Sequence, residues 1–207
     1  MTFLNEFAIK HIPAYARSNI HWWSMYMHSW NDMQLLEPQK PMLDVHMDAS
    51  MSKGLGGTFG DEWFPTRCPR HFLLRDIQFK EIYLVLQEIL KWGHLWKGHH
   101  IVFHMDNYTV VSALHSGSMQ NPQVMNMLRS IIRLAAWLGF SYNSSWLASS
   151  DNSIADTASH FDYSRLFLLA PSMKWKPCTL APQTHGFKTT LTCPLTWLSS
   201  CGMALPP

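Results

Sequence analysis

Charge is what this chain has least of. Only 14% of its 207 residues are Asp, Glu, Lys or Arg and the formal net charge is +2, with a pI of about 8.4, far from the strongly cationic composition of a free-standing nucleic-acid binder. Any grip on phosphate must therefore be local. Cysteine is sparse too: Cys68, Cys178, Cys193 and Cys201 lie far apart with no C-x-x-C pair, which argues against a zinc site or a dense disulfide framework. A reducing compartment is the simpler reading. No apolar run approaches the roughly 18 residues that span a bilayer, and the opening "MTFLNEFAIKHIPAYAR" has Glu6 and Lys10 where a signal peptide would have its apolar core. The expectation is a soluble intracellular protein, cytoplasmic or nuclear, with no membrane partner. The histidines show no H-E-x-x-H or similar spacing, so none is assigned to a metal.

What is present is a chain 47% hydrophobic, enough for one packed domain with appendages. Residues 1–40, rich in aromatics and methionine around "HWWSMYMHSW", end in the breaker "EPQKP" and read as a flanking segment. From there the punctuation is regular. "LDVHMD" alternates into a strand ending at Asp48, and the glycine-rich "KGLGGTFG" follows. A helix from Asp76 to Trp92 is capped by Asp76 and carries Glu81 on or beside its apolar content. "HIVFHMD" is a second strand ending at Asp106, and "NYTVVSALHSG" a short helix closed by Gly117. "NPQVMNMLRSIIRLAAWLG" is a longer helix, with Pro122 near its first turn and Gly139 as its stop. Phe140 to Leu147 reads as a strand, and "SSDNSIADTASH" as capping residues and a short helix holding Asp156. Residues 41–165 thus form an α/β domain, and 166–207 a proline-rich, poorly packed tail.

Four acids fall at telling places: Asp48 and Asp106 at strand ends, Glu81 within a helix, Asp156 in the first turns of the last one. Each alone has a bland explanation as a turn residue, an exposed helix residue or a charge favoured by the helix dipole. Brought together, ionised carboxylates repel and raise one another's pKa, so such a cluster is stable mainly around hard cations such as Mg²⁺ or Mn²⁺. Two such ions about 3.5–4 Å apart can activate a water and stabilise the leaving oxygen of a phosphodiester.

"MDAS" at Met47 to Ser50, "IQFKEIYLVLQEILKWG" around Glu81, "HMDNYTVV" around Asp106 and "DNSIADTASHF" around Asp156 together resemble the RNase H domain of retroelement polyproteins, nearest the DIRS-like, tyrosine-recombinase group. Upstream, "ARSNIHWWSMYMHSWND" looks like the segment joining the reverse-transcriptase thumb to RNase H. The resemblance implies an RNase H-like fold, a mixed five-stranded sheet with an antiparallel second strand and flanking helices. It also implies Asp48, Glu81, Asp106 and Asp156 as catalytic residues and ligands of two Mg²⁺ or Mn²⁺ ions. The implied activity is endonucleolytic cleavage of the RNA strand of an RNA–DNA hybrid, with a fused or separate reverse transcriptase as partner.

Departures from the family pattern sharpen these expectations. "WLASSDNS" has Ser149 and Ser150 where cellular enzymes place a histidine, and "HSGSMQNPQ" runs straight into the next helix where many insert a basic handle. "ASHF" stands where the family usually has leucine and then serine-arginine. No Y-x-D-D of a polymerase palm is present, so the chain looks like a piece of a longer polyprotein, or a decayed or co-opted copy. The competing expectation is a catalytically silent nucleic-acid-binding or interaction remnant.

Overall fold

The computed structural model describes residues 12–27, 40–174 and 177. Two compact units are distinguished, Met1–Gln39 and Lys40–Pro207. In the first, helix α1 spans Ala14–Met27. In the second, the order is β1 (Met42–Ala49), β2 (Leu55–Phe59), β3 (Glu62–Thr66), α2 (Ile77–Trp92), β4 (His100–Met105), α3 (Tyr108–Ser116), α4 (Pro122–Leu138), β5 (Ser141–Trp146), α5 (Ser153–Ser159) and α6 (Tyr163–Leu169).

The strands make one five-stranded sheet in the order β3-β2-β1-β4-β5. β1 pairs parallel with β4 and β4 with β5, while β2 runs antiparallel to both β1 and β3. This is the mixed α/β sheet of an RNase H-like fold. The parallel pairs need helical crossovers, supplied by α2 between β1 and β4 and by α3 and α4 between β4 and β5.

Local chemistry accounts for the elements. The alternation in "LDVHMD" puts Val45 and Met47, both 0% exposed, on the core side of β1, and Asp44, His46 and Asp48 on the other. Asp76 caps α2, its Oδ1 accepting from the Phe79 amide at 2.8 Å. From Phe79 to Leu90 every residue of α2 is buried, because the helix packs on β1 and β2 and also against α3 and α4. Asn121 caps α4, accepting from the Gln123 amide at 2.9 Å, and Gly139 ends it with φ 75°. Only Gly117 to Asn121 separate α3 from α4, so there is no inserted basic handle between them.

The main core joins Val45, Met47, Leu55, Phe64, Phe103 and Met105 of the sheet to α2, α3 and α4. A second, smaller cluster of Trp63, Ala158 and Leu166 lies under α5 and α6.

Two elements were not expected from the sequence pattern. β3 contains Pro65, which demotes an apparent strand, but β3 is an edge strand, where a missing ladder donor is tolerated. α6 runs past residue 165 to Leu169, anchored by Leu166 and by Asp162, whose carboxylate accepts from the Arg165 amide at 3.1 Å. The tail from residue 178 on lies outside the described residues. Trp63, Trp92 and Trp96 are core residues, whereas Trp23 and Trp137 are exposed.

Candidate metal centre

β1 and β4 lie side by side with His46 level with His104, so one step of two further on Asp48 and Asp106 stand at one level beyond the paired region. The charge of Asp106 acts on Asp48. The Asp48 carboxyl is pushed up from its ordinary pKa by burial and then by the neighbouring Asp106 and Asp156, against a lowering hydrogen bond from Ser159. Glu81 reaches in from α2. It is 3% exposed, its Oε2 has no hydrogen-bond partner, and its pKa is raised to about 8 by burial first and then by Asp106 and Asp48. The Asn107 side chain partly offsets that by hydrogen-bonding Glu81, while its Oδ1 caps α3 by accepting from the Thr109 amide at 3.1 Å.

Asp156 arrives on α5, and two features hold that helix to the sheet. Asn152, buried just before α5, donates from Nδ2 to the Met47 carbonyl at 2.7 Å. Gly56 of β2 supplies the clearance: a Cβ there would lie 2.4 Å from the Ser159 amide nitrogen and 2.7 Å from the Ala155 carbonyl oxygen. Only a residue without a side chain lets β2 and α5 come this close.

The sequence pattern thus names four acids, and β1, β4, α2 and α5 bring them into one neighbourhood at the end of the parallel strands, where α/β sheets gather ligands. Three further side chains were missed. Ser149 donates to Asp106 Oδ2 at 2.7 Å, and Ser159 donates to Asp48 Oδ2 and lies 2.9 Å from the Asp156 carbonyl. His160, four residues after Asp156, brings Nδ1 to 3.2 Å from Asp156 Oδ1 and 2.9 Å from the Asp156 carbonyl oxygen. One ring nitrogen of His160 and one carboxylate oxygen each of Asp48 and Asp156 lie within 4.8 Å of one another. None of these contacts is visible as a spacing motif, since they depend on α5 meeting β1. The only local hint is that His160 follows Asp156 by one helical turn.

The donor set fits a hard divalent cation. It is mainly carboxylate oxygen, two of its acids, Asp48 and Glu81, are driven toward the neutral form by burial and by neighbouring acids, and a buried oxygen of Glu81 is left without a donor. Lower on the same face, Asp44 Oδ1 pairs with His104 Nε2 at 2.8 Å, and His104 stacks on His46 with centroids 4.6 Å apart. Asp44 is exposed although it sits on a central strand.

Residues 79–161, less than half of the chain, match the family described as reverse transcriptase-like. No curated protein matches. Among solved structures, the chain is similar to RNase H1 from the halophilic archaeon Halobacterium salinarum NRC-1, at 14% identity and a TM-score of 0.36, covering 59% of this chain and 98% of that one. Among the described residues, no helix is long and apolar enough to cross a membrane.

Proposed function

We propose that this chain is a metal-dependent endoribonuclease of the RNase H type, part of a DIRS-like retroelement polyprotein, that cleaves the RNA strand of RNA–DNA hybrids. The observation that carries the reading is Glu81: a carboxyl 3% exposed, with an unpartnered oxygen, whose pKa is pushed to about 8 by burial first and then by the neighbouring Asp106 and Asp48. Burying a carboxyl beside other carboxyls destabilises the fold, and a bound cation would offset that cost.

Asp48, Glu81, Asp106 and Asp156 would hold two Mg²⁺ or Mn²⁺ ions, which when bound supply an activated water and charge stabilisation at the leaving oxygen. The remaining work belongs to the chain's own side chains. Ser149 and Ser159 fix the carboxylates of Asp106 and Asp48, and Asn107 orients Glu81, so that their oxygens converge without having to reorganise as the scissile phosphate arrives. Cleavage between phosphorus and the 3′ oxygen leaves a 5′-phosphate and a 3′-hydroxyl. Preference for RNA has its basis in the 2′-hydroxyl, which donates and accepts hydrogen bonds where DNA offers neither. With so little basic surface in the sequence, a reverse transcriptase, fused or separate, is the proposed source of additional grip on the hybrid.

The test is incubation of the full chain with an end-labelled hybrid and Mg²⁺ or Mn²⁺. The expected result is cutting of the RNA strand alone, lowered at least about a thousandfold by Asp106→Asn. A hybrid that is bound but stays intact under both ions would identify a silent binding module instead.

A further inference from the structure

We propose that His160 is a protein ligand of one cation subsite, together with Asp48 and Asp156, and that it makes this subsite take Mn²⁺ ahead of Mg²⁺. The proposal rests on the metal-centre reading and deepens it by assigning ion selectivity to a residue that the four-acid pattern does not contain.

Three observations carry it. A His160 ring nitrogen and single oxygens of Asp48 and Asp156 lie within 4.8 Å of one another, a separation that a common cation can bridge. The placement is built rather than incidental. His160 ends α5 one turn after Asp156, Ser159 between them hydrogen-bonds Asp48, and the chain reverses at Phe161, a non-glycine residue with φ 60°. Independently, the buried and unpartnered Oε2 of Glu81, whose carboxyl interacts with Asp48 and Asp106, indicates that this neighbourhood is completed by a positively charged ligand.

The chemistry then separates the two sides of the centre. Around Asp106 and Glu81 the named donors are oxygens, as Mg²⁺ prefers. Around Asp156 one donor is an imidazole nitrogen. Mg²⁺ is small, hard and reluctant to give up its oxygen shell, whereas first-row transition ions accept imidazole readily and bind more tightly along the series from Mn²⁺ onward. A mixed nitrogen and oxygen set therefore favours Mn²⁺ at the subsite shared by Asp48 and Asp156. The bland alternative is that His160 only hydrogen-bonds Asp156 and orients it, with no metal bond of its own.

Direct binding distinguishes the two. The metal-free full chain is titrated with Mn²⁺ and with Mg²⁺ by calorimetry, and pulsed electron paramagnetic resonance of the Mn²⁺ complex is read for nitrogen hyperfine coupling. The expected result is Mn²⁺ bound at least about tenfold more tightly than Mg²⁺, with an imidazole coupling present. His160→Asn should remove the coupling and weaken Mn²⁺ by about 10–100-fold, while Mg²⁺ affinity changes much less. If that variant melts early without metal, His160→Gln and the wild-type coupling decide the matter. Mn²⁺ binding without nitrogen coupling, or a coupling that survives both substitutions, overturns this proposal and leaves the nuclease reading standing. Failure to bind either ion overturns both. Mn²⁺ bound with the coupling to a chain that leaves hybrids uncut supports the His160 ligand and removes the nuclease reading.

Discussion

The two faces of the central sheet are made of opposite material, although the same strands supply both. On one face Val45 and Met47 of β1 and Phe103 and Met105 of β4 meet α2, α3 and α4 in the main core. On the other, Asp44, His46 and Asp48 alternate with them, joined by His104 and then Asp106. Two adjacent glycines show the same division. A Cβ on Gly57 would meet the Glu88 carboxyl and the Phe64 ring on the core side, and one on Gly56 would meet the backbone of α5 on the polar side. The first face carries the fold's stability. The second ends in Asp48 and Asp106, which Glu81 of α2 meets at the strand ends in a cluster that costs stability, since both Asp48 and Glu81 are held above their ordinary pKa. A strand with a period of two can serve both ends at once because neighbouring side chains never share a face.

The sharpest way to break this comparison is to substitute neighbours. Asp48→Asn should lower hybrid cleavage at least about a thousandfold while the metal-free chain melts no earlier than wild type, because a buried acid under repulsion has been neutralised. Met47→Ala, one residue away and 0% exposed in the wild type, should cost about 2–5 kcal/mol of stability in urea unfolding and leave the cleavage rate per folded molecule nearly unchanged. Should Met47→Ala and Asp48→Asn behave alike in both assays, the division of labour is wrong.

The paired glycines give the next largest contrast. Gly56→Ala puts a methyl 2.4 Å from a backbone nitrogen of α5, so the helix carrying Asp156 must shift, and displacement on that scale should lower cleavage by about a hundredfold. Gly57→Ala meets a carboxyl oxygen at 2.5 Å and a ring edge at 2.9 Å, side-chain ends that rotate away more easily than a helix backbone moves. It should lower the melting temperature and spare the rate. Steady-state kinetics at matched folded fraction, with melting curves, separate the two.

Much of this was legible in sequence because it is local. The period of two in "LDVHMD", the Asp76 cap and the Gly139 stop are all readable from short spacings, and each has its counterpart in the structure. What was not legible depends on tertiary approach. β3 hides behind Pro65, whose acceptability follows from the strand lying at an edge, which only strand order reveals. Ser149, Ser159 and His160 are unremarkable as letters, and acquire meaning when β4 ends beside the loop before α5 and Gly56 admits α5 to β1. Glu88, two turns after Glu81 on α2, reads as an ordinary helix acid but is fully buried with neither carboxyl oxygen partnered.

Glu88 sharpens the comparison from the core side. Burial alone holds its carboxyl well above the ordinary range, with no cluster of acids named as a cause, in contrast to Glu81. It has the cost of a site residue without a place in the site. Glu88→Leu should raise unfolding free energy by about 1–3 kcal/mol, the cost of an unsatisfied buried polar group, and leave cleavage unchanged. Loss of cleavage in this variant would extend the functional cluster into the core.

The remaining contrast is a pH profile. Glu81 has a folded-state pKa of about 8 against an ordinary value of 4.5. For a carboxyl raised in this way the neutral form is favoured by the fold, so its share of stability is fully present below the unfolded value and is lost as pH rises through the folded one. In chelator, the wild-type chain should therefore lose stability relative to Glu81→Gln between about pH 4.5 and pH 8, the window set by those two values. Taking the difference between the two proteins removes the opposing contribution of His46, whose pKa is lowered by burial and by His104. Saturating Mn²⁺ or Mg²⁺ should restore the wild-type chain at pH 8 and do much less for Glu81→Gln, because a bound cation favours the ionised carboxylate that the apo protein resists. Urea midpoints measured at several pH values check the sign. A difference that stays flat across the window would mean that Glu81 is not held above its ordinary pKa, and a cation that stabilises both proteins equally would mean that it takes no part in binding the ion.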